Sequence, residues 1–551
     1  MNRASIFLHI VFLLIFFSTI SFSQTTISGN LTGTLPGNTY IVVGNIYVRY
    51  GDSLTIEPGA RFLFHGNYSF DIYGYLRAVG TRESKILFVP DHGTFRWGGI
   101  KLKNTSSDQS ILEYCFITGS FDSGICLESC SPTVTHCEIT ENTGDYGGGI
   151  ACYDGAAPRV ICCKITYNEV SIRGGGISCR DDSYPTFTKC NISYNSSNDR
   201  GGGASNDFSN PYYENCKFFE NTAATQGGGV QNSTADVILK NCIFANNWAG
   251  MGGGAIRFDF CIHPKVFNCI IVGNRTGYDG AGIISYYSHF TVINCTIVKN
   301  SSPYQGGGIQ VGEGSRTTTV NTIVAGNSHG MTFNYTNPSS SFIRYCDFFD
   351  NVVYTIGGNS PPIDLCVVVS VNANGDSCDV HSNILENPCF VSYGARDFHL
   401  QNDSHCIGAG DPSAPATFDI EGKPRPYPQG SISDIGAHEH WLAEPSTGER
   451  IVFEDISSYG SDIPTEYRLE QNWPNPFNAS TTIKYHIPEE NLVLINIYDI
   501  MGNEVATLVN ETLPAGSYTL AWYADDCPSG IYFCCLKLQD FHQFKKMILI
   551  K

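Results

Sequence analysis

The chain has 551 residues, a formal net charge of −19, and only 15% charged residues. This acidic balance disfavours nucleic acids and anionic membrane surfaces as partners, because both are bound through basic patches. The length allows several domains, and the abundance of Gly, Tyr and Phe against only 5 Met favours strands and turns over helices.

The first 23 residues have the pattern of an export signal. Arg3 supplies a positive charge, residues 6–20 form an apolar run shorter than a comfortable membrane span, and Ser21-Phe22-Ser23 supplies small residues at the cleavage positions. We therefore expect a signal peptide over 1–23, a mature chain that begins at Gln24, and a protein that is secreted or held at the cell surface.

A repeat of about 26 residues fills the middle of the chain. Gly triplets followed by a small or apolar residue begin at Gly147, Gly174, Gly201, Gly227, Gly252 and Gly306, with a variant at Gly280. Cys-x-Ile/Phe segments begin at Cys115, Cys137, Cys163, Cys190, Cys216, Cys242, Cys269, Cys295 and Cys346. Most are followed five residues later by an Asn, at Asn142, Asn168, Asn195, Asn221, Asn247, Asn274, Asn300 and Asn351.

This period is too short for a βαβ unit, which needs roughly 30 residues or more. It fits one turn of a β-solenoid with three short strands and three corners, stacked at the ~4.8 Å strand spacing so that like residues form ladders. The residue between each ladder Cys and the next apolar residue is expected to face water, as at Glu138, Lys164, Thr296 and Asp347. We expect the Asn residues at corners with left-handed backbone angles. The Gly triplets are expected where φ is positive or where backbones pack closely.

The cysteine ladder is interpreted mainly as buried free thiols that behave as small apolar residues. Disulfides are the alternative, although parallel stacking points the side chains side by side rather than at one another. Cys366, Cys378, Cys389 and Cys406 lie off the ladder and are better disulfide candidates. Metal binding by the ladder is disfavoured because no CxxC pair or Cys/His cluster is present.

The Gly-Gly-Gly-Ile triplets alternate with segments such as Phe218-Phe219-Glu220-Asn221 and Phe244-Ala245-Asn246-Asn247. This alternation resembles the GGAI and FxxN repeats of polymorphic outer-membrane proteins and, more broadly, the pectin-lyase-like β-helix. The resemblance implies an all-β chain, with a right-handed parallel β-helix followed by a small C-terminal β-sandwich. It says little about function, because the same fold hosts lyases, hydrolases, adhesins and structural proteins.

The β-helix is expected over three stretches: N-terminal coils at 24–110, the laddered coils at 111–355, and C-terminal coils with a cap at 356–440. The last stretch resembles the closing segment of surface β-helix proteins, with a DxxGxxRP and a DIGAxE sequence. Its polar residues are either a catalytic carboxylate set or, in the preferred interpretation, a cap over the last coil, and they are Asp419, Arg425, Asp434 and Glu439.

Residues 441–466 are interpreted as a linker, and 467–551 resemble the type A sorting domain of type IX secretion substrates. The residues that carry this resemblance include Pro474, Asn475, Pro476, Phe477, Asn478, Gly502, Gly516, Gly530 and Tyr532. Trp473 departs mildly from the family, in which Tyr is commoner. The resemblance implies an address read by the outer-membrane secretion machinery, with the cargo then released or attached to the surface. Alternating apolar residues over 492–497 and 518–522 independently predict a small β-sandwich, for which carbohydrate binding is the alternative role.

For function, we expect a monomeric secreted or cell-surface protein that binds or adheres to glycans or surface partners. The alternatives are a polysaccharide-acting enzyme, either a Ca²⁺-dependent lyase or a hydrolase, and a purely structural spacer. No cofactor is expected to be required, and Ca²⁺ is the possible ion. The candidate Ca²⁺ ligands are Asp154, Asp181 and Asp207 on successive coils, where close carboxylates would otherwise repel. Arg173, Arg180 and Arg200 lie nearby as candidate bases, or as counter-charges of a solvated acidic face.

Removal of residues 467–551 is expected to leave the rest of the chain in the periplasm, because the truncated chain lacks the sorting address. Cell fractionation with an immunoblot against the β-helix measures this. The matched control is the full chain expressed from the same promoter. Normal surface delivery of the truncated chain would remove the assignment.

Overall fold

The computed structural model describes residues 24–440 and 467–550. The gaps within these ranges are 92–95, 105–107, 336, 338–339, 373, 415–417, 429, 473–474, 479, 490, 501, 514–515, 525–526 and 539–540. The predicted signal peptide and linker lie outside the described residues. The chain divides into two compact units, Met1–Glu449 and Arg450–Lys551.

The first unit is a right-handed parallel β-helix of about 12 coils with about 26 residues per turn, which confirms the predicted fold class. Each coil runs through a strand after the Gly triplet, a strand before the ladder Cys, and a strand at or after the ladder Cys. Every strand pairs in parallel with the equivalent strand one coil away. Six central coils add a fourth, short strand before the next Gly triplet, which the sequence did not predict.

We name the four stacks of strands by their position in the coil. The Gly column contains Phe70–Ile72, Ile100–Lys103, Ile125–Glu128, Ile150–Tyr153, Ile177–Arg180, Ala204–Asp207, Val230–Ser233, Ile256–Asp259, Ile283–Tyr286, Ile309–Val311, Met331–Phe333 and Ile356–Gly358. The Cys column contains Gln24–Asn30, Thr39–Val48, Arg61–Phe64, Ile86–Pro90, Cys115–Thr118, Glu138–Thr140, Lys164–Thr166, Asn191–Ser193, Lys217–Phe219, Ile243–Ala245, Ile270–Val272, Thr296–Val298, Ile323–Ala325 and Asp347–Phe349. The strand Thr39–Val48 also pairs, through its second half, with the Gly column.

The two remaining stacks complete the coil. The middle column contains Gly33–Leu35, Ser53–Ile56, Tyr75–Val79, Ile111–Glu113, Thr133–Thr135, Arg159–Ile161, Thr186–Thr188, Tyr212–Glu214, Ile238–Lys240, Lys265–Phe267, His289–Ile293, Arg316–Val320 and Phe342–Arg344. The short column contains Thr143–Tyr146, Glu169–Arg173, Ser196–Ser197, Thr222–Ala223, Trp248–Ala249 and Arg275–Thr276.

The interior of the helix is filled by every second side chain of the columns. Equivalent side chains stack face to face between coils, as the rings of Phe218 and Phe244 do at 4.7 Å and those of Phe187 and Tyr213 at 4.9 Å. All 22 cysteines are free thiols, including the four off-ladder residues that were the better disulfide candidates. Within the ladder a backbone N–H donates to the next sulfur, as from Cys242 to Cys269 Sγ at 3.4 Å.

The Asn residues that follow the ladder Cys lie inside the helix rather than at left-handed corners, so the prediction is wrong for them. The Asn residues directly before a ladder Cys do have the expected positive φ, between 49° and 56°, at Asn215, Asn241, Asn268 and Asn294. Asn221 is completely buried, and the positive φ of 52° belongs to Glu220 before it. Asn221 Oδ1 accepts hydrogen bonds from the backbone N–H of Asn195 at 3.1 Å and from its Nδ2 at 3.0 Å. Asn221 Nδ2 donates to Ile192 O at 2.8 Å and to Asn247 Oδ1 at 3.0 Å. Each amide thus ties three consecutive coils, and Asn327, which the repeat analysis missed, continues the ladder from Asn300 to Asn351.

The Gly triplets serve both purposes expected of them. Gly174 has a φ of 72°, and a Cβ on Gly175 would lie 2.4 Å from the carbonyl oxygen of Gly202 in the next coil. In one coil the motif is displaced by one residue, because Gly253 rather than Gly252 has the positive φ. Gly252 instead pairs with Gln226 and Asp279, the residues that precede the triplets of the neighbouring coils.

Residues 356–440 form the end of the helix and a segment that folds back along its side. Leu365 and Cys366 pack against the core at the last coil, and Ile384 pairs with Asp347. The flank segment, residues 386–440, then runs back over the outer face of the Cys column instead of covering the last coil. It contains the antiparallel pair Phe390–Ser392 and Asp397–Leu400.

Four hydrogen bonds fix the flank segment on successive coils. They run from Asp411 N to Asn321 Oδ1 (2.6 Å), from Ala437 N to Thr296 Oγ1 (3.0 Å), from Asn268 Nδ2 to Phe418 O (2.8 Å) and from Arg396 Nη2 to Asn246 Oδ1 (2.8 Å). Thr296 and Asp347, which were expected to face water, are consequently buried. In coils outside this cover Lys217 is exposed and Glu138 is half-buried, in agreement with the expectation for that position.

The second unit consists of two antiparallel sheets that share an apolar core including Ile495, Trp522 and Leu536. One sheet is formed by Arg468–Leu469, Ser480–Ile487 and Gly516–Tyr523, and the other by Asn491–Tyr498, Glu504–Leu513, Gly530–Lys537 and His542–Leu549.

The substitution Asn221→Ala is expected to lower the free energy of unfolding by about 3–5 kcal/mol, because it leaves the buried N–H and Nδ2 of Asn195 without an acceptor. Urea denaturation followed by circular dichroism measures the change. The control is Asn191→Ala in the Cys column, whose Oδ1 has no hydrogen-bond partner among the described residues. The control should stay within about 0.5 kcal/mol of the wild type, and equal unfolding midpoints for the two variants would contradict the assigned role.

Candidate functional site

The outward side chains of the Gly column form a strip that runs parallel to the helix axis. We define the polar strip by these residues together with those directly before the Gly triplets. The strand residues are Tyr153, Ser178, Arg180, Ser205, Asp207, Gln231, Arg257, Asp259, Tyr286 and Gln310, and the residues before the triplets are Tyr146, Arg173, Arg200, Gln226, Asp279 and Gln305.

The Gly triplets bring these two sets together. The chain turns sharply at the glycine of positive φ, so that the residue before it lies beside the second residue of the strand. A Cβ on Gly227 would lie only 2.6 Å from Cβ of Gln231, and one on Gly174 only 3.0 Å from Cβ of Ser178. The serine and glutamine side chains on the strands of the strip are therefore buried although they point away from the core: Ser178, Ser205, Gln231 and Gln310 are at most 2% exposed.

Most charges of the strip are paired within the protein. Arg173 Nη1 lies 3.3 Å from Asp207 Oδ1, and Arg257 Nε lies 2.8 Å from Asp259 Oδ2. Gln231 Nε2 also donates to Asp259 Oδ2 at 2.9 Å. Both carboxylates are 8% exposed, so the strip presents balanced pairs rather than a field of one sign.

Arginines of the strip also lie over aromatic rings. The guanidinium of Arg180 is 4.3 Å from the ring centre of Tyr146 and 5.4 Å from that of Tyr153, and Arg257 is 4.7 Å from that of Tyr286. Burial raises the pKa of Tyr153 and of Tyr286, so both keep a neutral hydroxyl. These contacts hold the side chains of the strip in place.

Within the described ranges, seven buried polar atoms of the strip have no hydrogen-bond partner in the protein. They are Arg173 Nε, Ser178 Oγ, Arg200 Nε, Gln226 Oε1, Gln231 Oε1, Asp279 Oδ1 and Gln310 Oε1. Burial also raises the pKa of Asp279. Two of the seven atoms, Arg173 Nε and Arg200 Nε, lie 3.7 and 3.5 Å from the carboxylate of Asp199. The others have almost no exposed surface, and ordered water is a common partner of such buried polar atoms.

Two features adjoin the strip. Large aromatic residues follow its strands at one corner, with Phe208, Phe260, Tyr287 and Tyr335 exposed by 62%, 59%, 46% and 74%. The rings of Phe260 and Tyr287 are stacked, 5.2 Å apart and 4° from parallel. Near the N-terminal end, an open hollow of about 600 Å³ lies beside the short column, lined by Arg96, Asp122, Asp145, Glu169, Ser171 and Asn198 among others.

The structure separates the three candidate Ca²⁺ ligands. Asp154 and Asp181 occupy equivalent corner positions on neighbouring coils, with φ of 50° and 55° and exposed side chains. Asp207 instead pairs with Arg180 in the register and lies in the polar strip beside Arg173. The three candidate bases, Arg173, Arg180 and Arg200, all lie on the strip. Any Ca²⁺ site thus rests on Asp154 and Asp181, and Ca²⁺ binding there stays a prediction.

The polar residues of the closing segment form a buried network. Asp419 accepts hydrogen bonds from three backbone N–H groups, and Arg425 donates to Asp434 O at 2.8 Å and Gly436 O at 3.0 Å. Burial raises the pKa of Asp434 to about 6 and that of Glu439 to about 7. With side chains of Arg425 and Glu439 at most 1% exposed, these residues hold the flank segment together and are out of reach of a polymer.

The residues of the sorting motif organise the second unit. Asn475 Nδ2 donates to Lys546 O at 3.0 Å, and its Oδ1 accepts from Ile548 N at 2.8 Å. Phe477 is buried and packs against Trp522, whose ring also contacts that of Tyr532. Gly502 has a φ of 83° in a turn, Gly516 and Gly530 begin strands, and Asn478 is exposed. Pro474 lies outside the described residues.

Fold and motif together define a parallel β-helix protein that carries a separate sorting unit. A family profile described as "Right handed beta helix region" matches residues 17–173 and 161–297, and one described as "Secretion system C-terminal sorting domain" matches residues 471–551. The chain belongs to the right-handed β-helix family, and its sorting domain marks it as a secreted protein delivered to the cell surface.

Other comparisons add little. No curated protein matches the sequence. Among solved structures, the chain is similar to the enzymatically active domain of tailspike protein 4 of bacteriophage CBA120, at 10% identity and a TM-score of 0.19. The match covers 93% of this chain and 63% of that one, and a TM-score this low does not establish a common fold. In the two described ranges, no helix is long and apolar enough to cross a membrane.

Sequence reasoning identified Asp207 and the three arginines but missed the strip as a whole. The signal was present, because the residue directly before each Gly triplet is long and polar in most coils.

Proposed function

We propose that this secreted protein binds an extended polysaccharide along the polar strip without cleaving it. The observation that carries the proposal is the line of half-buried polar side chains that face outward on successive coils, among them Arg180, Gln226, Arg257 and Gln305. A ligand rich in hydroxyl groups both donates and accepts hydrogen bonds, so it can bond to such side chains along its length.

The repeat of the strip matches a linear polymer. Outward positions recur at each coil, at the ~4.8 Å strand spacing, and most of them are polar, so a linear polymer meets polar groups along its length. The exposed stack of Phe260 and Tyr287 supplies flat apolar faces on which sugar rings can rest. Because most charges of the strip are already paired, a neutral or weakly charged polysaccharide is favoured over a strongly anionic one.

Substitution Gln226→Ala is expected to weaken polysaccharide binding by about three- to tenfold, and Arg257→Ala by at least about tenfold, which corresponds to roughly 1.4 kcal/mol. Gln226 is half-buried, and its Oε1 has no hydrogen-bond partner among the described residues, so the fold should be unaffected. Affinity gel electrophoresis against neutral and acidic polysaccharides measures binding.

The matched control is Arg159→Ala, an exposed arginine of the middle column, which should bind as the wild type does. A chain that binds no polysaccharide in the panel would contradict the proposal. Equal affinities of all three variants would move the binding surface away from the strip.

A glycoside hydrolase is the second candidate, and one observation favours it. Asp207, Ser233 and Asp259 occupy equivalent positions on consecutive coils, which puts the two carboxylates roughly 10 Å apart. This is close to the separation of about 6.5–9.5 Å in inverting hydrolases. Release of reducing ends by the wild type, abolished in both Asp207→Asn and Asp259→Asn, would replace binding with hydrolysis. Ca²⁺-dependent turnover that is lost in Asp181→Asn would indicate a lyase instead.

A further inference from the structure

The flank segment brings together three potential metal ligands from separate stretches of chain. His399 lies on the strand Asp397–Leu400, Glu421 follows in the turn after Asp419, and His438 stands near the end of the segment. One ligand atom from each residue lies within 4.8 Å of the other two. No other group of three His, Cys, Asp or Glu residues as close as this is found in the described part of the chain.

Some polar atoms of this group are buried and lack hydrogen-bond partners. His438 is 4% exposed, and its Nδ1 is buried with no hydrogen-bond partner among the described residues. Glu421 Oε1 is also buried without a hydrogen-bond partner among the described residues. The rings of His399 and His438 lie 4.1 Å apart.

The contact between His399 and Glu421 is also unusual. His399 Nε2 lies 3.1 Å from Glu421 Oε2, yet their relative orientation is not that of a hydrogen bond. Two polar atoms that approach each other without hydrogen-bond geometry can instead both bind one ion. A buried imidazole without a partner is hard to explain by ion pairing between His399 and Glu421 alone.

A second carboxylate orients the first histidine. Asp397 Oδ1 lies 2.6 Å from His399 Nδ1, which turns Nε2 towards Glu421. A carboxylate on the far nitrogen of a ligating imidazole is the arrangement that fixes the tautomer and the ring in metal sites. The competing cation is Lys423, whose Nζ lies 3.0 Å from Glu421 Oε2 and whose long side chain can move aside.

We propose that His399, Glu421 and His438 bind a divalent transition-metal ion, with zinc as the natural choice. Two imidazoles and one carboxylate are ligands that zinc accepts, with water in the fourth position. The ion would join the strand Asp397–Leu400, the turn at Glu421 and the end of the segment. It would thereby hold together three parts of the flank segment, which has little regular sheet of its own. This inference is independent of the proposed polysaccharide binding.

Co²⁺ is the probe for the test, because its visible absorption reports the ligands. The full mature chain is first alkylated at accessible thiols and then titrated with Co²⁺. We expect one ion per chain, visible bands of a nitrogen and oxygen site without sulfur-to-cobalt charge transfer, and displacement by Zn²⁺. Zn²⁺ should also raise the melting temperature.

Variants locate the ion. His399→Gln and His438→Gln should each weaken Co²⁺ binding by about 100-fold or more, and Asp397→Asn by about 10–100-fold. Lys423→Ala should tighten it several-fold by removing the competing charge, and this variant keeps the test decisive if a histidine variant fails to fold. The control is His263→Gln, an exposed histidine of the β-helix, which should bind as the wild type does.

The proposal is overturned if the alkylated wild type shows no saturable Co²⁺ binding. It is equally overturned if binding is unchanged in both His399→Gln and Lys423→Ala, or if the bound ion shows sulfur-to-cobalt charge transfer.

Discussion

The buried amide ladder is the constraint on which the rest of the β-helix depends. Each Asn side chain accepts from the coil on one side and donates to the coil on the other, as well as to a carbonyl oxygen of the preceding coil. A buried amide has a high cost when unpaired, so every coil must return its Asn to the same height and angle. That requirement fixes the coil length near 26 residues, and with it the register of all four columns. The polar strip and the aromatic corner exist because this register places equivalent residues of successive coils side by side.

Much of this architecture could be predicted from the sequence, because it is periodic. The spacing of Gly and Cys predicted the solenoid, and local motifs predicted the sorting domain, since both signals lie in short or repeated stretches. The role of the Asn residues was misjudged because a corner and an inward position adjacent to it, such as Glu220 and Asn221, differ by a single residue. Deciding between them requires knowing which of the two turns the chain.

The flank segment shows the opposite case. Its contacts join residues far apart in sequence, such as Asn268 with Phe418 and Thr296 with Ala437. The sequence repeat does not predict these contacts. The same holds for His399, Glu421 and His438, which no spacing rule groups together. The flank segment covers part of the Cys column and leaves the Gly column, with its polar strip, open to a ligand. The segment expected to cap the last coil thus affects which faces of the helix are accessible, a role that depends on long-range packing.

The free cysteines require the β-helix to fold before their thiols are oxidised. During export the unfolded chain crosses an oxidising compartment, where thiols readily pair and scramble. In the folded helix the ladder sulfurs are buried, so each coil that closes removes its thiols from exchange. A solenoid can extend coil by coil from any nucleus, and extension therefore competes directly with oxidation. Coils that close early therefore protect their thiols from cross-linking, whereas coils that close late leave theirs exposed for longer.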